Sequence, residues 1–190
     1  MIYLVRHGQT VFNREGRLQG HVDSPLTELG LAQAAASGAL LRRLLGETDG
    51  WRIVSSPLGR AMATAERIAG ALGLEVETEP ALIEVSFGAW DGRLRSELAA
   101  AAPGAFGPSG YMFAAPDAEP YEAMVDRLAG WIAGLPPEPQ RRVIAVSHGV
   151  AGRVLRGLYA GLAREDALAQ AVPQDAVFRL SGGRIERFNA

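Results

Sequence analysis

Apolar and polar positions follow two rhythms along this chain, and the switches between them mark its elements. Short apolar runs at 2–6, 51–55 and 142–147 end in polar residues and read as strands, the first of them buried. Between the first two, Leu31, Ala34, Ala35, Leu41, Leu44 and Leu45 keep a helical period. That predicts a helix over Glu28–Leu45, with Thr27 as its N-cap and Gly46 as its stop. Ser56-Pro57 predicts the opening of another helix through about residue 71, since serine suits an N-cap and proline a first helical position. Residues 75–78 read as an edge strand, and 93–102, 119–135 and 149–162 as helices. Residues 176–180 and 184–188 read as a hairpin turning on Gly182-Gly183, while 11–26 read as loop and 81–92 as an irregular segment.

This alternation predicts an α/β fold: a three-layer α/β/α sandwich with a mostly parallel central sheet and right-handed crossovers. The 190 residues suit a single domain over 1–190 with a substantial core. The stretch 103–117 is rich in Gly, Pro and Ala and is a candidate lid. Its Phe106, Tyr111, Met112 and Phe113 read either as an apolar wall for a bulky substrate or as ordinary packing.

Composition removes whole classes of chemistry. A net charge of -2 argues against nucleic acid or an anionic membrane surface as a partner. The chain has no cysteine, so disulfides, thiolate nucleophiles and cysteine-held metals are excluded. No apolar run approaches the roughly 20 residues that span a bilayer. The first residues enter a strand at once and do not read as a signal peptide, so a cytoplasmic location is expected. Apolar positions on the closing hairpin leave a homodimer open.

Three strand ends carry polar residues: Arg6-His7, Ser55-Ser56 and Ser147-His148. Open α/β sheets bind ligands beyond the carboxyl ends of their strands. Arg60 falls in the first turn after Ser56, where free N–H groups and a helix dipole favour an anion. With Arg6 it would form a pocket for a phosphoryl group, because guanidinium pairs with phosphate oxygens in bidentate fashion. One histidine at a strand end commonly serves only structure. Two histidines and two arginines collected on one sheet edge serve no packing need.

These residues resemble the histidine phosphatase superfamily, which contains cofactor-dependent phosphoglycerate mutases and many phosphatases. Leu4-Val5-Arg6-His7-Gly8-Gln9-Thr10 with Asn13 is similar to its Arg-His-Gly signature. Gln19-Gly20 with Asp23, Pro25-Leu26-Thr27 and Gly30 resembles the next segment, and Ser55-Ser56-Pro57-Leu58-Gly59-Arg60-Ala61 with Thr64-Ala65 the one bearing the second arginine. Glu84 with Gly88 and Gly92 resembles the acid-bearing segment, and Val146-Ser147-His148-Gly149 with Arg153 the second-histidine segment. The likeness runs in order over about residues 2–160.

The resemblance implies a phosphoric monoester hydrolase of the histidine acid type, working in two steps on a small phosphomonoester. His7 would become a phosphohistidine that water then hydrolyses. The partner of its other ring nitrogen is expected to be the Gly8 carbonyl, with Ser56 nearby. Arg6, Arg60 and His148 would surround the transferred group, and Asn13, Gly8, Gln19, Gly20 and Gly149 would belong to the phosphate-binding surface. Glu84 would be the general acid and then the base. Its neighbours Val85, Phe87 and Trp90 would desolvate it and favour its protonated form. No metal and no cofactor are implied. Pro120 stands where the family often has serine, beside Glu119 and ahead of Arg127, and the third histidine, His21, reads as solvent-exposed in a polar loop.

The mutases of this family carry an insertion after the acid-bearing segment, a C-terminal tail and extra basic residues. Here the stretch 93–118 is short and holds only Arg93 and Arg95 as basic residues, and the sequence ends after the hairpin. An open site admits water to the phosphohistidine, so hydrolysis is expected over isomerisation. α-Ribazole-5′-phosphate is one candidate substrate, beside sugar phosphates and a broad specificity.

Overall fold

The structure is a computed structural model that describes residues 1–106 and 111–190. Its six strands are β1 (Ile2–Arg6), β2 (Arg52–Ser55), β3 (Val76–Thr78), β4 (Val143–Ser147), β5 (Ala176–Ser181) and β6 (Arg184–Asn189). They form one sheet in the order β3-β2-β4-β1-β5-β6. β1 to β4 run parallel, whereas β5 pairs antiparallel with β1 and β6 antiparallel with β5. The α-helices are α1 (Val11–Glu15), α2 (Glu28–Leu45), α3 (Gly59–Leu72), α4 (Arg95–Ala101), α5 (Tyr121–Gly134), α6 (Gly149–Ala160) and α7 (Arg164–Ala169). The architecture is the expected mostly parallel α/β/α sandwich.

Strand residues alternate between the two faces, and in the central strands β1, β2 and β4 both faces are buried. Tyr3, Val5, Ile53, Ile144 and Val146 pack with Leu40 and Leu41 of α2 and with Ala61, Ala65 and Ile68 of α3. Ile2, Leu4, Val54, Val143 and Ala145 pack with Met124, Leu128 and Trp131 of α5 and with Val150, Val154 and Leu155 of α6. These three strands therefore read as near-continuous apolar runs, and a sheet clamped on both faces there holds its strand ends rigidly. No helix among the described residues is long and apolar enough to cross a membrane.

Two expectations change. The stretch 11–26 is not all loop, because α1 forms within it. Thr10 accepts the Asn13 N–H at 3.0 Å while the Asn13 side chain accepts the Thr10 N–H at 3.2 Å, a reciprocal cap that holds a helix with no buried residue. α3 begins at Gly59, three residues beyond the predicted N-cap Ser56, and Leu58 in the cap position gives no side-chain bond. The Ser56 hydroxyl lies 2.7 Å from His148 Nε2 and accepts the Leu58 N–H at 3.3 Å, ahead of the helix, while Asp23, from a distant loop, accepts the Arg60 N–H at 3.3 Å.

Of the candidate lid, 103–106 and 111–117 are described and 107–110 lie outside the described residues. Met112 is fully buried in the core around Met124 and Leu128. Phe113 meets Tyr121 edge-on, and Phe106 stacks between Trp90 and Tyr111. Of the four side chains singled out in this stretch, only Tyr111 reaches the cleft described next.

Candidate active site

Sheet register brings the three polar strand ends together. Arg6 pairs with Ser147 across β1 and β4, and Ser55 pairs with Val146 across β2 and β4. Beyond the strands the ladder continues: the His7 N–H donates to the Ser147 carbonyl and the Ser56 N–H to the Val146 carbonyl, both at 3.0 Å. His7 and His148 are both buried, with ring centroids 5.1 Å apart. The loop leaving β1 lies backbone against backbone on the start of α2. A Cβ on Gly8 would stand 2.2 Å from the Gly30 carbonyl oxygen, and one on Gly30 would stand 2.1 Å from that of Gln9, so both positions require glycine.

His7 Nδ1 lies 2.8 Å from the Gly8 carbonyl oxygen. A carbonyl only accepts, so Nδ1 carries the proton and Nε2 keeps its lone pair. Burial, then the positive charges of Arg6 and Arg60, hold this ring well below the ordinary histidine pKa, against the opposing bond to Gly8. The ring is therefore a neutral, oriented base. Sequence reasoning placed Ser56 beside it, but the Ser56 hydroxyl bonds His148 Nε2. Burial is also the first cause that holds His148 well below its ordinary value, followed by His7, Arg60, Arg6 and Arg127.

The arginines are anchored by part of each guanidinium. Arg60, 2% exposed, donates through Nη2 to the Gly20 carbonyl at 2.7 Å, and through Nη1 to the Val22 carbonyl at 3.2 Å and to Asp23 at 3.1 Å. Burial lowers its pKa, opposed by Glu84 and Asp23. Arg6 donates through Nη1 to the Val172 carbonyl, and burial pushes its pKa down to about 10 against the pull of Glu84. Three buried side-chain nitrogens among the described residues have no partner: Arg6 Nε, Arg60 Nε and His148 Nδ1. Native folds rarely leave such groups unpaired, and all three belong to this one cluster.

Glu84 is 7% exposed, as its apolar neighbours suggest. Its carboxylate nevertheless accepts the N–H groups of Val85 at 3.1 Å, Val150 at 3.1 Å and Ala151 at 2.9 Å. It thus caps α6, which His148 precedes without a side-chain cap. The apolar burial read from the flanking residues is thus only half of its environment, since both carboxylate oxygens accept backbone N–H groups. The Glu84 carbonyl receives His21 Nε2 at 2.9 Å, so His21 is exposed, as expected, yet anchored. Arg127 forms a two-bond ion pair with Glu119 at 2.7 and 3.0 Å and donates to the Ala81 carbonyl at 2.6 Å, bracing the same segment.

A cleft of about 300 Å³ opens on this cluster. Arg6, His7, Asn13, Gln19, Gly20, Arg60, Glu84 and Gly149 line it. Gly8 and His148 are buried behind it, Gly8 with its N–H on Thr64 at 3.1 Å. Gly20 adopts φ +51° with its Cα hydrogen facing Asp91, where no side chain fits. Gln19 accepts the Thr10 hydroxyl at 2.9 Å. Arg17, Arg95 and Arg153 also reach the cleft; Arg95 covers the Tyr111 ring at 4.7 Å, and Arg17 pairs with Glu15. Sequence reasoning gave Arg17 no role, since an arginine in a polar loop carries no motif of its own.

The model for the histidine phosphatase superfamily (branch 1) matches residues 2–184. A probable phosphoglycerate mutase GpmB of Yersinia pestis is 46% identical over 92 residues. That match covers 48% of this chain and 41% of the mutase, so it spans less than half of either. A mycobacterial glucosyl-3-phosphoglycerate phosphatase, solved in complex with VO3, superposes with a TM-score of 0.80 at 29% identity, covering 100% of this chain and 98% of that one. A putative α-ribazole-5′-P phosphatase from Escherichia coli gives 0.78 at 25% identity, covering 99% and 94%. The chain belongs to the histidine phosphatase superfamily, branch 1.

Proposed function

We propose that this chain is a metal-independent phosphomonoester hydrolase acting on small phosphorylated metabolites through a phosphohistidine at His7. One observation carries the reading: a neutral histidine with its lone pair on Nε2 sits among three buried nitrogens that lack partners. In the first step the Nε2 lone pair attacks phosphorus. The ester P–O bond breaks, and its electron pair leaves on the alcohol oxygen, which takes a proton from Glu84. In the second step water attacks phosphorus, Glu84 takes the proton from that water, and the N–P bond breaks to return its electron pair to Nε2.

Arg6 Nε and Arg60 Nε supply donors to the phosphoryl oxygens. His148 joins them if the Ser56 hydroxyl donates to Nε2, which leaves the proton on Nδ1. Pre-aimed donors of this kind are each worth about 10²–10³-fold in rate. The His7 ring stays neutral for this attack, since its pKa is held well below the ordinary value.

Hydrolysis is preferred to isomerisation because the phosphatase structures superpose along this whole chain, whereas the mutase likeness covers 48% of it. That partial likeness still supports a second reading, a cofactor-dependent phosphoglycerate mutase. α-Ribazole-5′-phosphate and glucosyl-3-phosphoglycerate are the first substrates to try, after the names of the superposed phosphatases. The test is hydrolysis of p-nitrophenyl phosphate in excess chelator by wild type and His7→Ala. Chelator-resistant turnover that the variant lacks supports the proposal. Conversion of 3-phosphoglycerate to 2-phosphoglycerate faster than phosphate release would favour the mutase.

A further inference from the structure

The segment 170–174, between α7 and β5, carries no motif, yet the site is tied to it repeatedly. Three consecutive carbonyls are each taken by an arginine: Gln170 by Arg153 Nε at 2.6 Å, Ala171 by Arg156 Nη2 at 2.7 Å, and Val172 by Arg6 Nη1. Two of these arginines, Arg6 and Arg153, line the cleft. The half-buried Gln174 then crosses to the loop leaving β1. Its Nε2 donates to the His7 carbonyl at 3.1 Å and to Asn13 Oδ1 at 3.0 Å.

The hydrogen-bond chemistry settles which way both amides face. The Thr10 N–H can only donate, and it lies 3.2 Å from Asn13 Oδ1. Oδ1 is therefore the acceptor on that side. The Gln174 group facing Oδ1 and the His7 carbonyl meets two acceptors, so it must be the NH₂. With Oδ1 doubly engaged, the Asn13 Nδ2 donors are left for the cleft that Asn13 lines.

Resting on the phosphoryl-transfer reading above, we infer that Gln174 is a positioning residue that aims the Asn13 amide donors at the phosphoryl oxygens and pins the His7–Gly8 peptide. Without its two donors, one acceptor bond holding the Asn13 amide is lost, and the amide is freer to turn its oxygen towards the incoming anion. The carbonyl of His7 also loses its tether, one peptide away from the Gly8 oxygen that fixes the nucleophile's tautomer.

The test is a double-mutant cycle between Gln174 and Asn13, read by inorganic phosphate affinity and by kcat and KM. Gln174→Ala is expected to weaken phosphate binding and lower kcat/KM about tenfold, the scale on which partners that orient a ligand typically act. Asn13→Ala is expected to lose at least as much, and the double variant little more than Asn13→Ala alone. Gln174→Glu keeps the shape but replaces donors by an acceptor, so its loss should equal or exceed that of alanine at an unchanged melting temperature. Losses that multiply in the double variant, or a Gln174→Glu protein that binds phosphate and turns over like wild type, would overturn the inference. The phosphate-binding arm needs no turnover, so failure of the phosphohistidine reading, seen as activity that survives His7→Ala, stays separate from failure of this one.

Discussion

The exits of β1 and β4 lie side by side and each delivers a buried histidine, but the far nitrogen of each ring meets a different partner. His7 Nδ1 faces the Gly8 carbonyl, which can only accept, so its tautomer is locked and the lone pair stays on Nε2. His148 Nε2 faces the Ser56 hydroxyl, which both donates and accepts, so a rotating O–H decides whether Nδ1 carries a proton. A carbonyl partner suits a nucleophile, and a hydroxyl partner suits a donor to charge that comes and goes. Burial and neighbouring cations hold both rings neutral, so burial alone does not assign their roles.

His7→Ala is expected to have the largest effect, removing at least about 10⁴-fold of turnover with folding intact by circular dichroism. His148→Ala should cost about 10²–10³-fold in kcat, the loss of one donor, while a slow phosphoenzyme still forms under single-turnover conditions. Equal losses in the two variants would erase the distinction.

Stability should also report both rings. Their native pKa values are depressed, so the unfolded chain binds more protons as pH falls below about 6.5, and stability should drop there and be regained as pH rises through it. The slope from this pair should approach about 1.4 kcal/mol per pH unit for each histidine. Urea melts of wild type and His7→Ala between neutral and mildly acidic pH should show a shallower dependence in the variant. Ser56→Ala should have the smallest effect, about tenfold in kcat with KM nearly unchanged, because His148 keeps its place and loses only its proton-setting partner.

The strands and the two histidines were readable because a strand buried on both faces needs a continuous apolar run, and the residue that breaks it lies at the site. α2 was readable too: Thr27 caps it, accepting the Gly30 N–H at 3.1 Å, and Gly46 ends it at φ +69°. The start of α3 was misread because a local rule assigned Ser56 to a cap, while its hydroxyl is shared between the Leu58 N–H, still ahead of the helix, and His148, 92 positions away. α1 was missed because it buries nothing, and the signal that could have found it is the capping pair Thr10 and Asn13. Gln174 was invisible because its partners lie 167 and 161 positions away, with no pattern at hand to mark them. Elements follow from local periodicity, whereas the orientation of functional groups follows from bonds the topology closes late.

Arg156 shows why unsatisfied atoms, more than buried charge, point to the site. It too is buried without an acidic partner among the described residues, and its pKa falls to about 10, chiefly through burial. Yet its Nε and Nη2 donate to carbonyls and its guanidinium lies 4.0 Å over the Phe178 ring, leaving no buried nitrogen without a partner. Arg6 and Arg60 each retain one.

The most direct test of the central claim is to quench the enzyme during turnover in excess chelator and map the phosphorylated residue by mass spectrometry under alkaline conditions, where phosphohistidine survives. The account predicts one acid-labile phosphoryl group on the peptide containing His7, absent from His7→Ala. Turnover that persists in His7→Ala, or a phosphoryl group trapped on any other residue, would contradict it.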